Sequence, residues 1–550
     1  MGIVGYYFTK SRRLKQDNKL LLEYQGIFLS CGLLVMKKIN LIVCSIFIIT
    51  DMIFEISASN ILIVDNVPSP SHQIWNYGIV KALLERGHNI TLLGLRNIDI
   101  IVHENLTMYE LEALPESTKN VLNINKLHKY GVLDNIKLKN DYEISTCTRN
   151  LESPSLNAIL NYPTDFFDLL IFDISFSCLL PLIKKFDFPP SIGITAFMIP
   201  KYISDIFGKD VNPSYEPFMY TTFSTDMNFA QRIQNYFFTY FDTYTWRRLY
   251  DSELVRVLNR SFGNHMLPLH HLHDHLSLLL CNLVIGFHYP RSLPPSVIPI
   301  GGVHLDLINK LPKDLQEIVD DSPHGIIIFS LGSNLNSNDM DSTKIRYILD
   351  AFSKLNETIL WKITKTLENL PKNVILRKWL PQQELLAHNK TKLFISHCGG
   401  LSTVEAARFG VPILALPFML DQNQNAEQIE NQKWGKVLPF QKITTENIYD
   451  AIHRLLHDPE YRTNAQRMSR LVRDQTDSSR ERAIYWIEYA IRHNGTRFLK
   501  PETTNSSFFI RYSLDILTFL TVLSIILTKS LITTSKFLIT YCINRKVKVE

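Results

Sequence analysis

Apolar residues along this chain fall in short unbroken runs, separated by stretches of helical length and period. Residues 60–64 (NILIV) form one such run and predict a buried strand. A loop follows at 68–71, then a helix over 73–85 stopped by Arg86-Gly87-His88, then a second strand at 90–93. That is the opening β-loop-α-β unit of a parallel sheet. Residues 168–173 (DLLIFD) read as another strand, with Asp173 at its carboxyl end. The aromatic-rich segment 215–244 lacks strand periodicity and reads as helices and loops over a cleft.

A Pro-rich break at 289–299 separates this half from a second alternation. Strands are expected at 325–330, 358–363, 374–377, 392–396 and 412–416, with helices at 344–354, 383–388 and 402–409. Strand–helix alternation of this kind predicts doubly wound α/β domains, whose ligands sit at the carboxyl ends of the strands. The expected fold class is therefore α/β, with two Rossmann-like doubly wound domains facing one cleft. The expected boundaries are 1–58 for an extension and leader, 59–292 and 293–495 for the two domains, 514–541 for a membrane helix and 542–550 for a basic tail.

At 550 residues the length suits two domains with appendages. The balance of 58 Lys and Arg against 53 Asp and Glu is dispersed along the chain and argues against a nucleic-acid partner. The ends carry more information. Met36-Lys37-Lys38 precedes an apolar run at 41–49 and small residues at Ser57-Ala58-Ser59, the layout of a secretory leader. Its depth in the chain predicts translation from Met36, with 1–35 as an upstream extension. Residues 516–542 are apolar apart from Lys529, Lys536 and a few hydroxyls, long enough for a span that needs about 20 residues. Lys529 is expected to snorkel near the cytosolic end, with Arg545, Lys546 and Lys548 beyond it. The final KVKVE resembles dilysine retrieval signals. Together these predict a single-pass type I protein of the endoplasmic reticulum membrane with a lumenal body. The sequons at Asn105, Asn259, Asn356, Asn389, Asn494 and Asn505 fit that compartment, while the cysteines are too few for a disulfide scaffold.

The chemistry concentrates in residues 379–422. His397-Cys398-Gly399-Gly400-Leu401-Ser402 lies between a strand and a helix, where glycines allow close backbone approach and free N–H groups suit phosphate. Neither G-x-G-x-x-G nor the P-loop pattern occurs, which removes the fingerprints of NAD-type and ATPase sites. Glu405 suits a ribose diol, Trp379 base stacking, and Asp421-Gln422 sugar hydroxyls. Each also has a plainer role open to it, as a helix cap or a core side chain. His265, His270, His271, His273, Asp274 and His275 crowd one short stretch, but the glutamate of H-E-x-x-H is missing. An acceptor-side loop is expected there, and no metal.

Residues 394–422 meet the pattern F-I-[ST]-H-x-G-x-x-[ST]-x-x-E…P…P…D-Q. With FSLGS at 329–333, GGVH at 301–304 and WIEYAIRH at 486–493, the chain resembles the UDP-glycosyltransferase family, in particular its membrane-bound animal UDP-glucuronosyltransferase/UDP-glucosyltransferase branch. The resemblance implies the GT-B type of two-domain fold. It also implies UDP-glucose or UDP-glucuronate as co-substrate, no further cofactor, and a small lipophilic acceptor. By the same resemblance Trp379 stacks on uracil and Gln382 contacts the uridine. Ser333, His397, Gly399 and Ser402 hold the diphosphate, Glu405 the ribose, and Asp421 with Gln422 the transferred sugar. Cys398 and Leu401 depart from the Gly and Asn usual in vertebrate members, and GGLST looks like invertebrate enzymes, which tend to use UDP-glucose. Pro68-Ser69-Pro70-Ser71-His72 matches the family's Ser-His, which makes His72 the expected base and Asp173 its orienting partner. The implied reaction is an inverting single displacement. A catalytically silent relative that binds lipophilic ligands is the alternative, and self-association is left open.

Overall fold

Alternate residues of the central strands face opposite apolar layers, which is why those strands read as continuous hydrophobic runs. The computed structural model describes residues 58–95, 102–112, 124–127, 129–197, 199–263, 267–305, 308–333, 335, 339–501 and 507–546. The expected leader, its start at Met36, His265 and Lys548 lie outside them. In the first half the strands are β1 (Asn60–Asp65), β2 (Asn89–Gly94), β3 (Leu106–Glu110), β4 (Leu169–Asp173), β5 (Ser191–Thr195), β6 (Leu276–Cys281) and β7 (Val297–Pro299). They form one parallel sheet in the order β3-β2-β1-β4-β5-β6-β7. Leu62, Val64, Leu170 and Phe172 pack into the core on one face; Ile61, Ile63, Leu169 and Ile171 pack into that on the other.

The second half repeats the plan with β8 (Ile326–Ser330), β9 (Thr358–Lys362), β10 (Val374–Arg377), β11 (Thr391–Ser396), β12 (Ile413–Ala415) and β13 (Gly435–Val437). Their order is β10-β9-β8-β11-β12-β13, again parallel throughout. In both sheets the winding reverses beside the first strand, at β1/β4 and at β8/β11. A reversal of this kind opens a crevice at the carboxyl ends of the strands.

Ten helices matter below: α1 (Pro70–Glu85), α2 (Val132–Leu151), α3 (Lys201–Ile206), α4 (Phe229–Tyr244), α5 (Leu269–His275), α6 (Gln382–Ala387), α7 (Gly400–Phe409), α8 (Gln422–Asn431), α9 (Ser479–Arg492) and α10 (Leu514–Lys546). The helix expected from residue 73 begins three residues earlier. Ser69 is its N-cap and Pro70 its first residue, a position where the missing N–H costs nothing. His72 therefore sits in the first turn of α1 rather than in a loop.

The break at 289–299 is not wholly a linker. Its last three residues are β7, paired in parallel with β6, so the first sheet runs past the expected boundary at 292/293. Proline tolerates such an edge position because one side of the strand has no ladder partner to lose. The chain also returns to the first half at its end. Ala483, Ile487 and Ala490 of α9 join the core against α1, and Arg86 pairs with Glu488 at 3.0 Å.

Helix α10 is continuous and exposed, and Leu514–Asn544 is long and apolar enough to cross a membrane. At about 1.5 Å per residue it exceeds a hydrocarbon core of about 30 Å, and Lys529 lies near its middle.

Candidate active site

His72, the third residue of α1, turns its ring toward the carboxyl end of β4. Its Nδ1 lies 2.7 Å from Asp173 Oδ2, and both side chains are buried. Asn76, one turn further along α1, donates to the same oxygen at 3.0 Å, while the Ser175 amide donates to Oδ1 at 3.1 Å. Burial opposes ionisation of Asp173. The imidazole of His72 and these hydrogen bonds outweigh it and hold the carboxyl below its ordinary range. Asp65, at the end of neighbouring β1, behaves oppositely, because burial and the charge of Asp173 push its carboxyl well up. Of two carboxyl groups at adjacent strand ends, one is kept charged and faces the histidine. Phe197 packs edge-on against the His72 ring at 4.4 Å. His72 Nε2 makes no hydrogen bond within the protein, and the residue lines a cavity of about 830 Å³.

The opposite wall of that cavity comes from the second sheet. It contains Ser333, Trp379, Gln382, His397, Gly399 and Ser402, and further along Glu405, Asp421 and Gln422. Every expected donor-site residue thus shares one cavity with His72, and Asp173 stands directly behind that histidine. Gly399, not Ser402, is the N-cap of α7, so the first N–H groups of a ten-residue helix open on the cavity. Ser402 instead pairs its hydroxyl with Gln382 Nε2 at 3.1 Å, and Gln382 also donates to Glu405 at 2.5 Å. Trp379 is no core residue. It is 57% exposed, with Lys362 Nζ 4.1 Å from its ring centre.

The His397 ring is slotted between two glycines. A methyl group added at Gly332 would stand 2.5 Å from its Cε1, and one at Gly399 2.6 Å from its Nε2. Burial and the nearby Lys362 charge lower His397 to about 3, which makes it a neutral donor or acceptor at physiological pH. Burial lowers Lys362 itself to about 8, against the pull of Glu405. Cys398 has φ 62, so the backbone there takes the left-handed form that suits glycine.

Asp421 precedes α8 without capping it. Its Oδ2 accepts from Asn425 at 2.9 Å, and burial raises its carboxyl to about 6. Gln422 uses its carbonyl oxygen to hold the Phe418 and Met419 amides at 2.9 and 3.2 Å, which leaves its NH2 as a donor beside the cavity. The 418–420 loop is tied across the cleft, since the Leu420 amide donates to Asn135 of α2 at 3.2 Å.

Several contributors were not singled out from the sequence. Lys362 ends β9, and the rule that ligands meet strand ends would have found it. Asn76 lies four residues from His72 on one helix face. His304 Nε2 meets Glu405 Oε1 at 3.2 Å, a partnership between residues 101 positions apart that carries no sequence signal. The histidine-rich stretch is largely α5, and among the described residues none of its histidines lines the cavity. His273 Nε2 pairs with Ser177, and His275 packs on Phe188, so the expected acceptor-side loop is instead a helix leading into β6. Among the described residues no group of three or more His, Cys, Asp or Glu is placed to hold a metal ion.

Two doubly wound sheets face one cavity, with a buried His–Asp pair on one wall and a helix N-terminus with an exposed tryptophan on the other. That combination defines a nucleotide-sugar glycosyltransferase of the GT-B fold, and the solved structures it matches have that fold. The glycotransferase of kitacinnamycin superposes with a TM-score of 0.55 at 17% identity, over 79% of this chain and 99% of that one. A Polygonum tinctorium UDP-glucosyltransferase gives 0.53 at 17%, over 80% and 98%. The sequence profile of the family described as UDP-glucoronosyl and UDP-glucosyl transferase matches residues 61–549, and the chain belongs to that family. It is 30% identical to UDP-glucosyltransferase 2 of Dactylopius coccus, over 82% of this chain and 88% of that protein. It is also 30% identical to mouse UDP-glucuronosyltransferase 1A6, over 83% and 87%. The protein is a UDP-glycosyltransferase, and UDP-sugars are the co-substrates of its family.

Proposed function

We propose that the chain moves glucose or glucuronate from its UDP-sugar to a hydroxyl of a small lipophilic acceptor by inverting displacement. The observation that carries this reading is His72, braced by Asp173 on Nδ1 and left without a hydrogen-bond partner in the protein on Nε2, in the wall of the cavity onto which the α7 N-terminus opens. The acceptor O–H gives its proton to Nε2 as its oxygen bonds to the anomeric carbon. The bond from that carbon to the diphosphate oxygen breaks, and UDP leaves with the electron pair. Asp173 stabilises the imidazolium that forms. Trp379 stacks on uracil beside Gln382, and Glu405 takes the ribose diol. Ser333, His397, Gly399, Ser402 and the α7 amides receive the diphosphate charge that grows as the bond breaks, so no metal is invoked. Asp421 and Gln422 present an acceptor and a donor to the sugar hydroxyls.

In the same reading Leu514–Asn544 crosses the endoplasmic reticulum membrane once, with the catalytic body lumenal and the basic tail cytosolic. A span over the first twenty or so residues of α10 lets Lys529 snorkel to the cytosolic boundary.

The test is UDP release by full-length protein in microsomes, with a phenolic acceptor and either UDP-glucose or UDP-glucuronate. The expected result is release with one donor by the wild type and loss of it in His72→Ala. Equal release by the two proteins would remove His72 as the base. No release by the wild type with either donor would favour a catalytically silent relative.

A further inference from the structure

Helix α4 is built inside out. Its buried side chains are Asn235, Thr239 and Asp242, while Phe229, Ile233, Tyr236, Phe237, Phe241 and Tyr244 point outward. At 100° per residue those six fall in one continuous stripe along the helix. Phe229 is 71% exposed and Phe237 54%. The inner face is fastened largely by hydrogen bonds, with Phe238 alone of the helix's phenylalanines packed on the buried cluster around Phe218. Asn235 accepts from the Phe218 amide at 2.6 Å and donates to the carbonyls of Pro213 and Glu216 at 2.8 and 2.9 Å. A helix in water places these two kinds of residue the other way round, so an apolar outer surface of this extent marks contact with an apolar medium.

What that medium is follows from where the helix sits. Tyr512, two residues before α10, hydrogen-bonds Lys201 Nζ at 3.2 Å. The same Nζ lies 5.5 Å from the ring centre of Tyr240 on α4. Arg511 reaches Asp205 of α3 at 3.3 Å and Asp210 at 3.1 Å. The root of the membrane helix is thus bound to α3 and α4, and Phe509 and Ile510, next to Arg511, are exposed as well. A body held this closely to a span has its α4 face at the lipid boundary. The cavity is near as well, because Phe197 lines it and Lys201 lies one turn's length further along the chain.

We infer that the aromatic face of α4 lies in the interfacial layer of the leaflet that α10 enters, holding the acceptor side of the cleft against the lipid. Interfacial helices bury their apolar face by about 5–10 Å. The inference rests on α10 being a membrane span, and the experiment separates the two. Full-length protein, with Cys31, Cys44 and Cys542 replaced by serine, is reconstituted into phosphatidylcholine vesicles. It carries an environment-sensitive fluorophore at one of three positions: Phe237→Cys on α4, Leu523→Cys on α10, or Asp350→Cys at an exposed position of the helix Ser342–Phe352 in the second half.

Lipids spin-labelled near the headgroup should quench the label at 237 at least twice as strongly as that at 350, and lipids labelled deep in the chain should quench 523. Quenching at 523 with 237 behaving like 350 would overturn the inference and leave the span standing. No quenching at 523 or 237 would overturn both. Protection of 237 from a water-soluble quencher without lipid quenching would assign the face to a second copy of the chain, and would also overturn it.

Discussion

The two walls of the cleft are made in different ways. The wall from the second sheet is nearly contiguous in sequence, since most of its polar groups fall between Trp379 and Gln422, on successive loops after β10, β11 and β12. The wall from the first sheet brings His72 and Asp173 together from 101 positions apart, by pairing β1 with β4. A ligand of fixed shape is met by a compact run of loops, whereas a proton transfer needs only two groups in register. The nucleotide wall therefore has many contributors of modest individual effect, and the chemical wall has few contributors of large effect.

The sharpest way to break that contrast is at His72. In His72→Ala, kcat should fall by about 10²- to 10⁴-fold, the usual contribution of a positioned base, while KM for the donor stays unchanged. A rise in donor KM without a fall in kcat would move His72 to the nucleotide wall. On that wall, Trp379→Ala should raise donor KM by about 5- to 150-fold, the equivalent of about 1–3 kcal/mol of base stacking, and leave kcat largely intact. Lys362 covers the Trp379 ring at 4.1 Å, so a protein with no bound donor should show Trp379 fluorescence that responds to UDP. Unchanged KM in the variant would show that the uracil sits elsewhere.

The same contrast explains what the sequence disclosed. Strands β1, β4, β8 and β11 were legible because their centres are buried on both faces and apolar, and the half-buried strand at 374–377 by its short Val-Ile-Leu run. Strands β3, β5, β6, β7 and β13 were not: Leu106–Glu110 is half exposed, Ser191–Thr195 carries Gly and hydroxyls, Leu276–Cys281 follows the histidine-rich helix without a break, Val297–Pro299 hides in a proline-rich stretch, and Gly435–Val437 is very short. The donor-side candidates were legible as a spacing, and all of them line one cavity. Their supports were not, since His304 with Glu405 and Asn135 with Leu420 meet only through the tertiary fold. Polar character alone gave no indication that α4 is inverted, because its aromatic and polar residues have the same helical period whichever face is inward.

A smaller effect tests how tightly the nucleotide wall is fitted. Gly332 has φ 77, and its missing side chain leaves room for the His397 ring. Gly332→Ala should push that ring aside and weaken UDP binding by about tenfold, a displacement well under 1 Å being enough for an effect of that order. Titration calorimetry with UDP measures it. The His72–Asp173 wall is untouched, so kcat at saturating donor should change little; an equal loss in kcat would mean that the two walls do not act separately.

The two working carboxylates, one on each wall, should respond to pH with opposite sign. Asp421 is raised from 3.8 to about 6 by burial, so the folded protein holds its proton more tightly than the unfolded chain does. Between pH 4 and 6 the folded state binds more protons, stability falls as pH rises, and the whole penalty is present above pH 6. Asp421→Asn keeps an oxygen for Asn425 and removes the charge. It should raise Tm by a few degrees at pH 7.5 and hardly at all at pH 4.5, at the cost of sugar binding. Asp173 is lowered, so its ionisation stabilises the fold above its unfolded pKa near 3.8, and that contribution is lost only as pH falls through its folded value. Asp173→Asn should therefore lower Tm at pH 7.5 and by a similar amount at pH 4.5. Thermal melts of the three proteins at the two pH values decide the matter. Shifts of the same sign for both variants at pH 7.5 would show that the walls differ in sequence layout but not in electrostatic strain.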